Sequence, residues 1–222
     1  VGNPVRKEIL GRSGSPYIPP GNHPMSILIM GGSQGSKILS NIVPEAIGNL
    51  PDEILKYIRV FQQAREEDCE RVKSQYSSNG IACEVLPFFD NIASHLSEAQ
   101  LIISRSGASS VADIGVIGRP SILIPLGSAI RDEQTLNANP LKKLRAATVI
   151  AEKNLTVKRL NQAIVKIPAN SSIHDKSLDV IVQDNRWYLV DLYMVEADGT
   201  DINSEAQLFN KDIRIRKAAP NN

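Results

Sequence analysis

The segment that most constrains the fold is Met25–Lys37, where an apolar run leads at once into a glycine-rich turn and a helical pattern. The run Ile27–Met30 has the length and composition of a buried strand. Glycines let the backbone approach a ligand, and the first N–H groups of the following helix lack partners within it. The helix dipole adds positive potential at that end. The segment therefore predicts a phosphate-binding turn or, equally, a tight strand-to-helix turn without a ligand.

Two common phosphate motifs do not fit this segment. A Walker A loop needs glycine directly before its lysine, and here Ser36 precedes Lys37. A dinucleotide fingerprint needs a second spaced glycine where Ser33 stands, and an acid after the next strand, where the chain has Gln62. These departures argue against P-loop NTPases and NAD enzymes.

Composition limits the class of protein further. The 222 residues are 42% hydrophobic, which supports one or two globular domains with true cores. A net charge of +1 implies no nucleic-acid partner. The two cysteines, Cys69 and Cys83, are expected to be reduced and structural, as in a cytoplasm. The chain starts at Val1 rather than Met, and we expect a fragment of a longer protein.

Strands alternate with helices between residues 25 and 168. Strands are predicted at 27–30, 57–61, 82–86, 101–104, 121–125 and 148–151, and helices at 36–48, 65–77, 91–98 (with Asp90 as the N-cap), 106–118, 132–144 and 156–167. This alternation predicts an α/β fold, a Rossmann-like doubly wound parallel sheet whose ligand lies beyond the carboxyl ends of the strands.

Two flanking regions have a different composition. Residues 1–24 are rich in Gly and Pro and are predicted to be a linker or interdomain segment without a packed element. Residues 169–222 are predicted to form a small β-rich appendage: an aromatic strand at Trp187–Val195, a turn at Asp198-Gly199, a strand at Phe209–Ile215 and a disordered end.

A second small-residue turn, Arg105–Ser110, follows the predicted strand 101–104. Two such helix starts in one sheet can grip a diphosphate from two sides. Asp113 could hold the two hydroxyls of a ribose, or could merely complement the helix dipole. Gln134 in the stretch 131–137 could bind sugar hydroxyls, while Asn137 could equally brace the loop. The pattern suits nucleotide-sugar binding and does not suit hydrolysis.

Five stretches together resemble the carboxyl-terminal half of the MurG glycosyltransferases: GNPVR at 2–6, MGGSQGS at 30–36, FFDNI at 88–92, SRSGASSVADIGVIGRPSILIPL at 104–126 and DEQTLNA at 132–138. The similarity runs in order over about residues 1–165. It implies half of a GT-B fold and transfer of N-acetylglucosamine from UDP-GlcNAc to lipid I, with inversion, in peptidoglycan synthesis. It also implies a cytoplasmic location at the inner face of the bacterial plasma membrane, with membrane contact through the other half.

The resemblance assigns substrate-binding roles residue by residue. Arg6 and Ser33 would approach the donor phosphates or sugar, Gln34 would support the turn, and Phe89 would hold the uracil through its backbone. Asp113 replaces the family's glutamate on the ribose, and Gln134 with Glu133 would contact the sugar. The complete set is Arg6, Gly32, Ser33, Gln34, Gly35, Phe89, Ser106, Gly107, Ala108, Ser109, Ser110, Asp113, Glu133, Gln134 and Asn137. No cofactor or metal is expected.

The chain also departs from the family. Gly127-Ser128 stands where a histidine is frequent, Leu144–Ala146 replaces a glycine-rich turn, and the tail does not match. The acceptor site and the expected general base belong to the amino-terminal half, so the catalytic residues are unknown and this chain alone is expected to transfer nothing. The alternatives are a non-catalytic remnant that acts as a binding scaffold, and another sugar-nucleotide enzyme such as an epimerase.

Overall fold

The computed structural model describes residues 3–21, 23–32, 35–128, 132–169, 179–183 and 186–190. The helices in these ranges are α1 (Lys7–Leu10), α2 (Lys37–Gly48), α3 (Asp52–Leu55), α4 (Glu66–Ser78), α5 (Ile92–Glu98), α6 (Ala108–Ile117), α7 (Glu133–Lys143) and α8 (Val157–Ala169). The strands are β1 (Met25–Met30), β2 (Ile58–Gln63), β3 (Ala82–Leu86), β4 (Leu101–Ser104), β5 (Ser121–Leu123), β6 (Ala147–Val149), β7 (Asp179–Gln183) and β8 (Arg186–Val190).

Strands β1 to β6 form one parallel sheet in the order β3-β2-β1-β4-β5-β6. This is the order of a doubly wound Rossmann sheet, and the predicted α/β class is confirmed. The chain builds outward from β1 to β3, then returns to place β4 on the other side of β1. Helices α2 and α6, which follow these two central strands, therefore start on either side of the crevice where such sheets bind ligands.

The central strand β1 is buried on both faces, as a parallel sheet requires. Ile27 and Ile29 pack in the cluster that contains α2 residue Leu39, whereas Leu28 packs with residues of α5 and α6, including Leu96. Alternate side chains of a strand point to opposite faces, so one apolar run serves two helical layers. This double burial holds the turn after Met30 in place.

The boundaries of the predicted helices and strands between residues 25 and 169 lie within two residues of the predictions, including β5, which ends at Leu123 rather than at residue 125, and β6, which covers Ala147–Val149. The short helix α3 was not predicted. The prediction of Asp90 as an N-cap is wrong, because Asn91 occupies that position, without a side-chain cap hydrogen bond. The capping pattern fails here because a turn precedes the helix and shifts its start by one residue.

The amino-terminal segment packs against the domain, which differs from the predicted linker without a packed element. It contains the short helix α1, whose Ile9 is fully buried. The buried Arg119 donates hydrogen bonds to the carbonyls of Ser15 and Pro16 at 3.1 and 3.0 Å and to Ser97 at 2.6 Å. One apolar residue and one buried guanidinium thus tie a Gly- and Pro-rich stretch to the sheet layers.

A two-stranded antiparallel sheet forms from β7 and β8, with Val182 opposite Trp187. The predicted aromatic strand overlaps β8, but its partner Asp179–Gln183 was not predicted. The proposed turn at 198–199 and the strand at 209–215 lie outside the described residues. Among the described helices, none has the length and apolar character that crossing a bilayer requires.

The turn before β6, Leu144–Ala146, stands where the resemblance implies a glycine-rich turn, and it contains a strained residue. Arg145 has φ of 57°, in the left-handed region that favours residues without a Cβ. We expect Arg145→Gly to be more stable than Arg145→Ala by about 1 kcal/mol, because both remove the side chain and only glycine removes the Cβ strain. Urea unfolding of the two variants measures this difference, and equal midpoints would show that the turn carries no strain.

Candidate functional site at the carboxyl edge of the sheet

A cavity of about 770 Å³ opens at the carboxyl edge of the sheet, over the point where β1 and β4 meet. Its lining residues come from the segments that follow β1, β2, β4, β5 and β6, including the first turns of the helices after them. They are Gly31, Gly32, Gly35, Ser36, Lys37, Ile38, Asn41, Arg65, Arg105, Gly107, Ala108, Ser109, Ser110, Leu126, Gln134 and Glu152.

The first wall is the turn between β1 and α2, and its geometry demands glycine. A Cβ on Gly31 would lie 2.5 Å from the backbone nitrogen of Ser36, so the turn closes too tightly for any side chain. Gly32 and Gly35 have φ of 85° and 68°, and the N–H of Gly31 donates to Oε1 of Gln63 at 3.2 Å. Ser33 and Gln34 lie outside the described residues, and their roles stay predictions.

The second wall is the start of α6, and both helix starts leave their first N–H groups available. Gly107 caps α6 and has no side chain, while Oγ of Ser36, the cap of α2, accepts from Arg105 Nε at 3.1 Å instead of capping its helix. Neither first turn contains an acid, in contrast to α4, which begins with Glu66, Glu67 and Asp68. Lys37, Arg65 and Arg105 add positive charge, so the cavity favours an anion.

Arg105 is hydrogen-bonded to several of the segments that form the cavity. Its side chain is 9% exposed and donates to Ser36, to the carbonyls of Ile124 and Pro125 at 3.3 and 3.4 Å, and to Glu152 Oε2 at 2.8 Å. Glu152 also accepts the N–H of Gly127 at 2.9 Å. The guanidinium thereby fixes the ends of three loops relative to one another, as its planar fork of donors allows.

The structure pairs Arg6 with Asp113, two residues that were predicted to contact different parts of a donor. Arg6 donates to Oδ2 of Asp113 at 2.7 Å, and neither residue lines the cavity. Asp113 is 6% exposed and is the sixth residue of α6. It therefore lies beyond the first helical turn, whereas an acid that complements the helix dipole would lie within that turn. Burial raises the pKa of Asp113, and the hydrogen bond and charge of Arg6 offset only part of that rise.

The remaining predicted residues have distinct positions. Gln134 lines the cavity and accepts the N–H of Leu126 at 3.0 Å, while Asn137 donates to the carbonyl of Ser106 at 3.2 Å and so acts as a brace. Glu133 is exposed and does not line the cavity.

Phe89 is buried against His95, with ring centroids 4.8 Å apart, away from the cavity lining. Gly32, Gly35 and residues 107–110 line the cavity together.

Sequence reasoning missed Ser36, Lys37, Arg65, Arg105 and Glu152 as site residues. Arg105 was visible as the residue directly after a buried strand, in the same position as Gly31 after β1. Glu152 follows β6 and could have been found from the rule that the carboxyl ends of parallel strands gather at one edge. Arg65 had no such signal, because a charged residue at the start of a charged helix is ordinary.

Two carboxyl groups, the buried Asp113 and the partly exposed Glu152, should affect stability in opposite directions as the pH changes. Burial pushes the pKa of Glu152 upward, but the hydrogen bonds from Gly127 and Arg105, with the charge of Arg105, hold it below its ordinary value. Its stabilisation is therefore present above the ordinary glutamate pKa and lost as pH falls through the lowered pKa. For Asp113 the raised pKa means that stability falls as pH rises through it.

We therefore expect Glu152→Gln to reduce the loss of folding stability as the pH falls into the acid range. We expect Asp113→Asn to remove the loss of folding stability that occurs as the pH rises from the ordinary aspartate pKa through the raised pKa of Asp113. Urea unfolding of the wild type and both variants, from about pH 3 to pH 7, measures the slopes. Parallel curves for all three proteins would contradict the assigned contacts.

The fold and the cavity define a class: a Rossmann-like domain with an anion site at the switch point of its sheet. Within the described residues no group of three or more His, Cys, Asp or Glu side chains is placed to hold a metal ion. Residues 26–179 match the glycosyltransferase family 28 C-terminal domain, and the chain belongs to this family.

The relatives are consistent with that assignment. The chain is 44% identical, over 72% of its length, to the UDP-N-acetylglucosamine–N-acetylmuramyl-(pentapeptide) pyrophosphoryl-undecaprenol N-acetylglucosamine transferase of Chelativorans sp. (strain BNC1), and equally identical over 71% to that of Caulobacter vibrioides (strain NA1000 / CB15N). It spans 43% of each of those proteins, less than half of their length.

Two solved structures are similar to this domain. Acinetobacter baumannii MurG is 31% identical, with a TM-score of 0.63, over 71% of this chain and 47% of that protein. WaaG, a glycosyltransferase of lipopolysaccharide biosynthesis, shares the fold at 16% identity, with a TM-score of 0.56, over 78% of this chain and 48% of that protein.

Proposed function

We propose that this chain is the donor-binding half of a transferase that moves N-acetylglucosamine from UDP-GlcNAc to lipid I in peptidoglycan synthesis. The observation that carries the proposal is the cavity at the switch point. It lies between two helix starts whose first turns lack acids, and three basic side chains are among its described lining residues. The identity to MurG-type transferases over the same residues supports UDP-GlcNAc as the donor.

In this proposal the donor diphosphate lies between the starts of α2 and α6. The free N–H groups of both helices and the side chain of Lys37 neutralise its charge, which grows on the departing UDP as the sugar bond breaks. These donors are part of rigid turns, so little reorganisation is needed when that charge develops. The domain would thus contribute to catalysis by stabilising the departing UDP.

Asp113 remains the proposed ribose contact. Arg6 holds Oδ2, and within the described chain Oδ1 accepts no hydrogen bond. In this proposal the ribose extends past the cavity lining at Ser109 and Ser110, and one of its hydroxyls donates to that second oxygen. Arg6 keeps the carboxylate in place and anchors the amino-terminal segment to α6. Arg6 then acts through Asp113 instead of contacting the phosphates.

The acceptor site and the general base are assigned to the part of such a transferase that this chain does not include. The chain alone would bind donor without transferring it. Contact with the inner face of the plasma membrane and with lipid I would also depend on that other part, which gives the domain a peripheral position on the cytoplasmic side.

A thermal-shift titration tests the proposed donor. We expect UDP-GlcNAc to raise the melting temperature progressively as its concentration increases, with about 1.4 kcal/mol of added stability at ten times its dissociation constant. GDP-mannose is the matched control, because it offers the same diphosphate with another base and sugar. An equal shift by both ligands would reduce the site to a general diphosphate site, and no shift at millimolar UDP-GlcNAc would favour a non-catalytic remnant.

A further inference from the structure

The described lining of the cavity holds two cations, Lys37 and Arg65, that pair with no carboxylate of that lining, and a third, Arg105, that pairs with Glu152. Lys37 and Arg65 lie beside the glycine turn and the start of α2, where an anion is favoured. The opposite wall is formed by Leu126, Gln134 and Glu152, and Glu152 is the single carboxylate among the described lining residues. A carboxylate repels phosphate, so this wall faces a part of the ligand that is neutral and polar.

Glu152 is held in one orientation. It begins the 3-10 turn after β6, and its side chain is 27% exposed. Oε2 accepts both the Arg105 guanidinium at 2.8 Å and the N–H of Gly127 at 2.9 Å. Within the described chain Oε1 accepts no hydrogen bond, which leaves one fixed acceptor at the cavity wall. The lowered pKa of Glu152 keeps this carboxylate charged at neutral pH.

Gln134 supplies the complementary group on the same wall. Its Oε1 is used by the N–H of Leu126 at 3.0 Å, which orients the amide. Its Nε2 donates to no partner in the part of the chain that the structure describes. The wall thus presents an oriented donor and an oriented acceptor, and a sugar hydroxyl can bond to both because it donates and accepts.

We propose that Glu152 is a specificity-determining residue whose Oε1 accepts a hydrogen bond from a hydroxyl of the transferred sugar, beside the amide of Gln134. This inference rests on the proposed function, because it places the sugar next to a diphosphate held by α2 and α6. A hydrogen bond to a charged acceptor is stronger than a neutral one and is lost when the hydroxyl is absent.

The test compares UDP-GlcNAc with UDP on the full chain, by calorimetry. Glu152→Gln is the sharp variant, because its amide oxygen can keep the contacts to Arg105 and Gly127 while its NH2 group replaces the free acceptor with a donor. We expect its dissociation constant for UDP-GlcNAc to rise about tenfold and that for UDP to change less than about twofold. Urea unfolding confirms that the variant is folded.

Glu152→Asp provides a second variant if the first does not fold. It keeps the charge near Arg105 but withdraws the acceptor by one methylene, and the same selective loss of UDP-GlcNAc is expected. A parallel loss of UDP and UDP-GlcNAc would overturn the inference and leave Glu152 as a support for Arg105. Unchanged affinity for both ligands would also overturn it, with the proposed function intact. Failure of the wild type to bind either ligand would overturn both.

Discussion

Gly31→Ala is expected to abolish measurable donor binding and to destabilise the domain by about 2 to 3 kcal/mol. The added Cβ would lie 2.5 Å from the nitrogen of Ser36 and 2.7 Å from Cα of Gly35, so the backbone of the turn must open. Opening the turn moves the start of α2, whose N–H groups form one side of the proposed diphosphate site. Urea unfolding and calorimetry with UDP-GlcNAc measure the two effects.

Gly115→Ala is the matched control for that substitution. It makes the same chemical change inside α6, where a Cβ would meet no described atom within 4 Å. Alanine is favoured over glycine in a helix interior, so this variant should gain up to about 1 kcal/mol and bind donor normally. If Gly31→Ala bound UDP-GlcNAc as well as Gly115→Ala does, the glycine turn would not belong to the site.

Arg105→Ala should have an effect of similar size. It removes hydrogen bonds to Ser36, Ile124 and Pro125 and leaves Glu152 without its charged partner. Breaking a buried ion pair by removing one partner is costly, and the partial exposure of Glu152 reduces the expected loss to about 2 to 3 kcal/mol. Because the three loops lose their common contact, we expect UDP-GlcNAc affinity to fall at least about tenfold, as calorimetry would show.

Arg159→Ala controls for the loss of an arginine as such. Arg159 is exposed on α8, and its side chain makes no hydrogen bond or ion pair within the described residues. Its removal should change stability by less than about 0.5 kcal/mol and leave donor affinity unchanged. Arg105→Ala and Arg159→Ala with equal stability and affinity would show that the buried guanidinium supports neither the loops nor the site.

The parallel sheet was predictable because its signal is local and repeated. Short apolar runs such as Ile27–Met30 alternate with amphipathic helices, and this pattern determines the class of fold. The packed amino-terminal segment was not predictable in the same way. Its attachment depends on Ile9 and on Arg119, which lies more than one hundred residues away in sequence. A Gly- and Pro-rich composition does not predict such a contact.

The same difference between local patterns and contacts of distant residues applies to the site. The two glycine turns were visible because their residues are adjacent in sequence, and the structure brings both to one cavity. The pairing of Arg6 with Asp113 and the contact between Arg105 and Glu152 each join distant segments. Single-sequence patterns identify which groups are chemically useful, and only the tertiary structure shows which of them satisfy one another and which remain for a ligand.

The most direct test of the central claim is a calorimetric titration of the full chain with UDP-GlcNAc, followed by competition with UDP. We predict saturable binding of one donor per chain that UDP displaces and that Gly31→Ala abolishes, with Gly115→Ala unchanged. A folded chain that shows no heat of binding at millimolar UDP-GlcNAc, or binding that Gly31→Ala leaves intact, would contradict a donor site at the switch point of the sheet.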